Sequence, residues 1–436
     1  MKNFARNVCM FSTLVYASVC FSTPNIVLII ADDVGAQSCN LYGADEDLTP
    51  NIDSIAEQGM RLENFYAYTV CSPTRASLMT GRNSDRHGVK APVNATLSTN
   101  ETTLANILQD AGYTTGVFEK WNLAGGPAIS DRTAYMEIQG WDTNYTFKGP
   151  SLENYTDNPA GETNYWPYIY NQEAVQFIDD HAGDSSPFFM LYGMALCHSP
   201  YGATPLDPEF TGTDSAEFQE MLKYSDVLVS NVLAIIDSEG IASNTVVIYF
   251  GDNGTPSTIS NNFQGVSLLG KKGTYDERGS WVPFYVRWPG YIPTNSTYSG
   301  ITQVEDLFNT IAEIGSAEVP IDRLIDGRSF LDKLYGGSGN HRNTIYLGDH
   351  SSTIDDGHVQ NLTHKRAKVG GVSYLFRNNK PYGDETVTET NQVDLINNIW
   401  LDSYWYSTTN KTFGDTPWGG YSNEVIFLSN STNDYP

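Results

Sequence analysis

The residues with the clearest chemical potential lie in Cys71-Ser-Pro-Thr-Arg75, continued by Ala-Ser-Leu-Met-Thr-Gly-Arg82. A cysteine with proline two positions on, arginine four on, and a small and apolar run closed by glycine reads as a reactive residue on the first turn of a helix. That turn has unpaired backbone N–H groups and the positive end of the helix dipole, so anionic oxygens gather there. Arg75, one turn on, falls on the same side and adds a permanent cation with a planar donor fork. A buried structural cysteine in a helix-start loop is the alternative these five residues leave open. Four further polar sites directly follow apolar runs: Asp32-Asp33, Lys120, His198 and Asp252-Asn253. Paired carboxylates at a strand end are costly unless a cation holds them, and a mixture of carboxylate and amide oxygens suits calcium or magnesium.

The elements that must position these groups can be read in order. Pro24–Ala31 is a continuous, β-branched apolar run, as expected for a central parallel strand covered on both faces. Thr49-Pro50 starts a helix through Gln58, closed by Gly59, and the segment Arg61–Tyr68 leads into Cys71. A capped helix from Thr99 to Gly112 precedes a strand, Tyr113–Phe118, which delivers Glu119-Lys120-Trp-Asn122-Leu123. Residues Asn144–Asn171 read as a loop carrying Tyr145, Tyr155, Tyr165, Trp166, Tyr168 and Tyr170, rings able to stack on sugars or to pack on the surface. The helix Asn171–His181 precedes the strand Phe188–Leu196, which ends in Cys197-His198-Ser-Pro200. A long amphipathic helix, Ala216–Glu239, leads to the strand Thr245–Phe250 and then to Gly251-Asp252-Asn253-Gly254. Val304–Gly315 reads as another helix. In a doubly wound α/β sheet, strand C-termini line one edge, where ligands bind, so residues more than two hundred apart would converge beside Cys71.

The Cys71–Arg82 run is similar to the C-x-P-x-R signature of the sulfatase family, and other motifs extend the resemblance. Glu119-Lys120-Trp-Asn122-Leu123 resembles the family's G-K-W-H-L-G, with Glu119 in place of the first glycine and Asn122 in place of the histidine. His198-Ser-Pro200 matches H-x-P. Gly270–Gly279 with Pro283 resembles K-G-x-x-x-E-G-G-x-x-x-P, where the register favours Lys272 over Lys271 and Arg278 replaces a usual glycine; Asp326-Gly-Arg-Ser-Phe-Leu331 resembles D-G-x-S-L.

The resemblance implies an alkaline phosphatase-like α/β fold: a mostly parallel mixed sheet with helices on both faces, plus a small C-terminal antiparallel-sheet subdomain. The expected divisions are a signal peptide at 1–22, a catalytic domain at 23–335 and the subdomain at 336–436, where short alternating strands such as Ala367–Phe376 begin after a linker. It implies that a formylglycine-generating enzyme oxidises Cys71 to formylglycine before folding is complete, and that the aldehyde hydrate attacks a sulfate ester. Calcium, rather than magnesium, would be held by Asp32, Asp33, Asp252, Asn253 and the modified Cys71. Arg75, Lys120, Lys272 and His198 would act on the sulfate ester, and Asn122 would occupy the place of the histidine that contacts formylglycine. The substrate would be an aryl or carbohydrate sulfate. Two other readings are a phosphoester hydrolase of the same superfamily, whose members generally use Ser or Thr, and a sulfated-glycan binder impaired in turnover by Asn122.

The 436-residue chain has a formal charge of −26 and a sequence pI near 4.4. That balance argues against nucleic-acid or anionic-membrane binding through the whole surface, while leaving room for a local cationic pocket. Lys2 and Arg6, followed by the apolar run Val8–Cys20 with no acid before Asp32, read as a secretory signal too short for a comfortable membrane span. The expected destination is extracellular, periplasmic or lysosomal, with no stable membrane anchor. Removal of the signal leaves Cys39, Cys71 and Cys197, and spacing does not decide whether Cys39 and Cys197 pair. Eight Asn-x-Ser/Thr sequons lie away from the motifs, including Asn94, Asn295 and Asn430.

Overall fold

Asn25–Ala31 (β1) lies mid-sheet with all seven residues buried. Its unbroken apolar run requires cover on both faces. The computed structural model describes residues 23–342, apart from 93–94, 126–128, 130, 147–164 and 275–276, and beyond these the backbone of five short strands. After β1 come Pro50–Glu57 (α1), Met60–Tyr66 (β2), Cys71–Thr80 (α2), Ser84–His87 (α3), Leu104–Asp110 (α4), Thr114–Glu119 (β3), Arg132–Ile138 (α5) and Thr143–Thr146 (β4). Trp166–His181 (α6), Phe188–Met194 (β5), Asp214–Ser238 (α7), Thr245–Gly251 (β6) and the hairpin Ser260–Phe263 (β7) and Val266–Leu269 (β8) follow. Glu277–Ser280 (α8), Phe284–Arg287 (β9), Ser296–Gln303 (β10), Asp306–Ile314 (α9) and Leu331–Leu334 (α10) complete the body.

Eight of these strands form one sheet in the order β10-β2-β9-β6-β1-β5-β3-β4, and only β9 runs against its neighbours. This is the expected mostly parallel mixed sheet. Ile26, Leu28 and Ile30 pack with Leu78 of α2, Leu108 of α4 and Phe308 of α9. Val27 and Ile29 face the other way, onto Ile52 of α1, Phe177 of α6 and Leu228 of α7. Both faces are therefore sealed, as the composition of β1 demands.

The register sets the site. Ala31 is level with Met194 of β5 and Gly251 of β6, and Glu119 of β3 is level with Gly193. Asp32, Asp252, Ala195 and Lys120 thus leave the sheet at one edge.

Two local readings shift. The helix expected from Thr99 begins at Leu104, because Asn106 lies three residues beyond Thr103 and completes a reciprocal capping box there. The expected aromatic loop at 144–171 contains β4 and the first turn of α6. Tyr155 lies outside the described residues, Tyr165 is wholly buried, and Tyr145 and Trp166 both pack on Tyr170, at centroid distances of 5.5 and 5.9 Å. In the C-terminal part, His364–Val369 pairs antiparallel with Val372–Arg377, and Ser403–Ser407 with Ile426–Asn430.

Candidate active site

Helix α2 begins on Cys71, and all ten of its residues are buried, so its positive end opens inside the protein. The Thr74 hydroxyl donates to the Asp252 carbonyl at 2.6 Å and accepts from the Tyr68 N–H at 2.9 Å, fixing the first turn to the end of β6. Arg75 donates through Nε to Asp252 Oδ2 at 2.9 Å and through Nη1 to the Lys120 carbonyl at 2.6 Å. One guanidinium thereby ties β3 and β6 to the helix start. Gly193 permits this approach: a β-carbon there would collide with the Lys120 carbonyl and stand 2.7 Å from Arg75 Nη1.

The carboxylates meet the lysines directly. Asp32 Oδ2 pairs with Lys120 Nζ and Asp33 Oδ1 with Lys272 Nζ. Asn253 Nδ2 donates to Asp33 Oδ1 at 2.8 Å, and the Asp33 N–H to Asp252 Oδ1 at 3.3 Å. Asp32, Asp33 and Asp252 therefore face the three cations Arg75, Lys120 and Lys272. Burial works to raise the Asp32 carboxyl, but Lys120, His198, Lys272 and Arg75 outweigh it and hold it well below the usual carboxylate range. Asp252 is pushed up to about 7, by burial and then by the neighbouring Asp32 charge.

His198 Nδ1 lies 2.6 Å from the Ser199 carbonyl; with Nδ1 as the donor, Nε2 is left for the site. Burial draws its imidazolium below the ordinary value, against the pull of Asp32 and Asp33. Ligand atoms of Asp32, Asp33 and His198 lie within 4.8 Å of one another, the one such metal-capable group among the described residues. Asp32 Oδ1 and Asn253 Oδ1 are buried acceptors without a hydrogen-bond partner. Stranded acceptors cost about 1–3 kcal/mol each, so oxygens left this way beside acidic neighbours fit a cation.

Asn122 adopts a left-handed φ of 61°, which asparagine tolerates better than most residues. Its Nδ2 donates to Cys71 Sγ at 3.0 Å and to Ser72 Oγ at 2.8 Å, while Ser72 Oγ donates to the Asn122 carbonyl at 3.2 Å. Burial raises the Cys71 thiol above its ordinary value although Lys120 and Lys272 oppose it. The unmodified residue is thus a protonated thiol at neutral pH, a poor nucleophile.

Of the candidate site residues, Asp32, Asp33, Cys71, Arg75, Lys120, Asn122, His198, Asp252, Asn253 and Lys272 are brought together at this edge. Lys271 forms no ion pair with a described residue, whereas its neighbour Lys272 reaches Asp33. Cys39 and Cys197 are free and buried. Sequence reasoning does not single out Ser72, Thr74 or Gly193. A lone glycine in an otherwise apolar strand is the usual mark of a close backbone approach, and Gly193 carries that mark.

A family model described as Sulfatase matches residues 24–316. The chain belongs to the sulfatase family. Among curated relatives, this sulfatase is 28% identical to arylsulfatase G of Rattus norvegicus, covering 83% of this chain and 79% of that one. It is 30% identical to N-acetylgalactosamine-6-sulfatase of Canis lupus familiaris, covering 74% and 68%. Among solved structures, Ps i-CgsB in complex with k-i-k-neocarrahexaose aligns with a TM-score of 0.66 at 23% identity, over 81% of this chain and 86% of that one. The phosphonate monoester hydrolase of Agrobacterium radiobacter aligns at 0.65 and 16% identity, over 87% and 95%. At these identities the structural neighbours show the fold, which is alkaline phosphatase-like. Family and relatives make the sulfatase a sulfuric ester hydrolase. No helix among the described residues is long and apolar enough to cross a membrane.

Proposed function

We propose that the sulfatase cleaves a sulfate ester on a carbohydrate or aryl group, using formylglycine made from Cys71 and a calcium ion bound beside it. The observation that carries this reading is the pair of stranded oxygens, Asp32 Oδ1 and Asn253 Oδ1, within the cluster that also holds Asp33, Asp252 and the start of α2. Asp32, Asp33, Asp252, Asn253 and the modified Cys71 would hold the ion. Several converging side-chain oxygens suit calcium better than magnesium, which keeps more of its water. When bound, the ion supplies positive charge beside the sulfate oxygens.

The chain's own residues divide the remaining work. Lys120, Lys272 and Arg75 stabilise charge developing on the sulfate oxygens. In its imidazolium form His198 presents an Nε2 proton to the departing alcohol oxygen, while Nδ1–H stays on the Ser199 carbonyl. Hydrated formylglycine supplies a hydroxyl for attack at sulfur, which a thiol kept protonated by burial does not. Since α2 is buried throughout, a formylglycine-generating enzyme must reach Cys71-Ser-Pro-Thr-Arg75 before folding is complete. Lys2, Arg6 and the apolar run Val8–Cys20 support entry to the secretory route, toward an extracellular, periplasmic or lysosomal location. A carbohydrate sulfate is favoured by the relative named N-acetylgalactosamine-6-sulfatase and by the neighbour solved with neocarrahexaose.

Asn122 favours a second reading. Its amide holds the side chain of residue 71 by a hydrogen bond but takes no proton near neutral pH, so the protein would bind sulfated glycans with slow turnover. Peptide mass spectrometry across Cys71, on protein made in a host with the maturation machinery, tests the first reading together with an aryl and carbohydrate sulfate screen. Conversion of thiol to aldehyde with sulfate release is the expected result. An unmodified cysteine, with a control sulfatase converted alongside, would transfer support to binding.

A further inference from the structure

Glu119 stands where the resembling family element has glycine, and its backbone keeps a glycine-type φ of 68°. A β-carbon is disfavoured in that conformation, and a carboxyl is disfavoured in a wholly buried position such as this. Two unfavourable features at one residue require an offsetting contact. The Ala195 N–H donates to Glu119 Oε1 at 2.5 Å, and the Ala195 carbonyl accepts the His198 N–H at 2.9 Å. On the other side, the Lys120 N–H donates to the Gly193 carbonyl at 2.8 Å, and the Lys120 carbonyl accepts Arg75. The Glu119 carboxyl is therefore the side-chain link between the end of β3, which carries Lys120, and the turn after β5, which carries His198.

We propose that Glu119 is a positioning residue: its carboxyl locks the His198 turn against the Lys120 strand end and so sets the spacing between the two. The roles of His198 and Lys120 in this inference rest on the proposed function. The groups facing the carboxyl are Arg75 of α2, Asp32 after β1, Tyr192 of β5, Tyr165 just before α6 and Tyr170 in its first turns. Burial raises the carboxyl to about 8, so it is neutral at pH 7, and a glutamine amide can replace it as the acceptor for Ala195.

The test compares Glu119→Gln and Glu119→Gly in the full, matured chain. It uses kcat and KM for 4-nitrophenyl sulfate and the NMR titration of the His198 ring, assigned with His198→Ala. Glu119→Gln is expected to keep kcat within about threefold and leave the ring titration in place. Glu119→Gly is expected to lower kcat about 10- to 100-fold with little change in KM, and to shift the His198 titration. Glu119→Asn tolerates the same φ but is one methylene short, and replaces the glycine variant if that does not fold. A glycine variant matching the wild type in kcat and titration overturns the proposal; so does a glutamine variant as impaired as glycine with the His198 titration unmoved. Wild-type protein that cleaves no sulfate ester would sink the catalytic reading alone, and the His198 titration would still decide for or against Glu119.

Discussion

Under the proposed function, Asn122 is the residue that bears most directly on turnover. It reaches the side chain of Cys71 and shares a reciprocal contact with Ser72, so it is well placed to hold whatever group residue 71 becomes. Proton removal is the step it does not provide. Histidine is also enriched among residues at positive φ, so Asn122→His can enter the same backbone conformation. The substitution is expected to raise kcat by about 100-fold or more, the usual scale of a positioned base, and to add a rising limb to the pH–rate profile near the imidazole value. Steady-state rates with an aryl sulfate check this, and an unchanged kcat would favour the binding reading. Most of these residues were legible in the sequence because each follows an apolar strand or opens a helix. The motif register favoured Lys272 and left Lys271 as the alternative, and the ion pair with Asp33 is made by Lys272. Ser72 and Thr74 were hidden because hydroxyls on a helix's first turn commonly serve only as caps.

At the scale of elements, the long apolar strands β1, β5 and β6 were legible because burial on both faces writes itself into composition. Strand β2 was harder: Met-Arg-Leu-Glu-Asn-Phe-Tyr mixes polar and apolar residues, and its place beside β9 and β10 rests on pairings more than two hundred residues apart. The reversed direction of β9 is set by its antiparallel register with both β6 and β2. The joint between α9 and the residues that follow it shows how such distant pieces are held. Asp306, buried at the start of α9, accepts the N–H groups of Gln303 at 3.0 Å and Arg328 at 2.9 Å, and Arg342 Nε at 2.7 Å. Burial opposes its ionisation, but Arg342 and His341 prevail and hold the carboxyl well below the usual range. Its folded value is depressed, so its stabilisation is present above the unfolded value of about 4 and fades as pH falls below it. Thermal unfolding from pH 7 to pH 3 should show this acid limb. Asp306→Asn should cost about 3–5 kcal/mol at pH 7, since Arg342 is left buried without its partner, and should flatten the limb. Identical acid limbs in the two proteins would refute the assignment.

Over the whole molecule, a formal charge of −26 surrounds a cluster in which each of three cations is paired with a carboxylate. The charge excess bears on substrate approach more than on chemistry, because fixed charges on the surface act over the Debye length, about 30 Å at 0.01 M salt and about 8 Å at 0.15 M. A monosulfated sugar or aryl sulfate carries one negative charge and feels modest repulsion on its way to the proposed site at Lys120, Lys272 and Arg75. A densely sulfated oligosaccharide meets the same field with many charges, and its encounter rate is suppressed in proportion. Raising salt from 0.01 to 0.15 M is therefore expected to raise kcat/KM several-fold for a polysulfated oligosaccharide and less than about twofold for a monosulfate, with kcat little changed for either. Initial rates on matched substrates of differing sulfation provide the measurement. Should kcat/KM for the polysulfated substrate instead fall with salt, attraction must govern the encounter. The rim of the pocket would then be basic despite the overall charge, and long sulfated chains would replace small sulfate esters as the preferred substrate class.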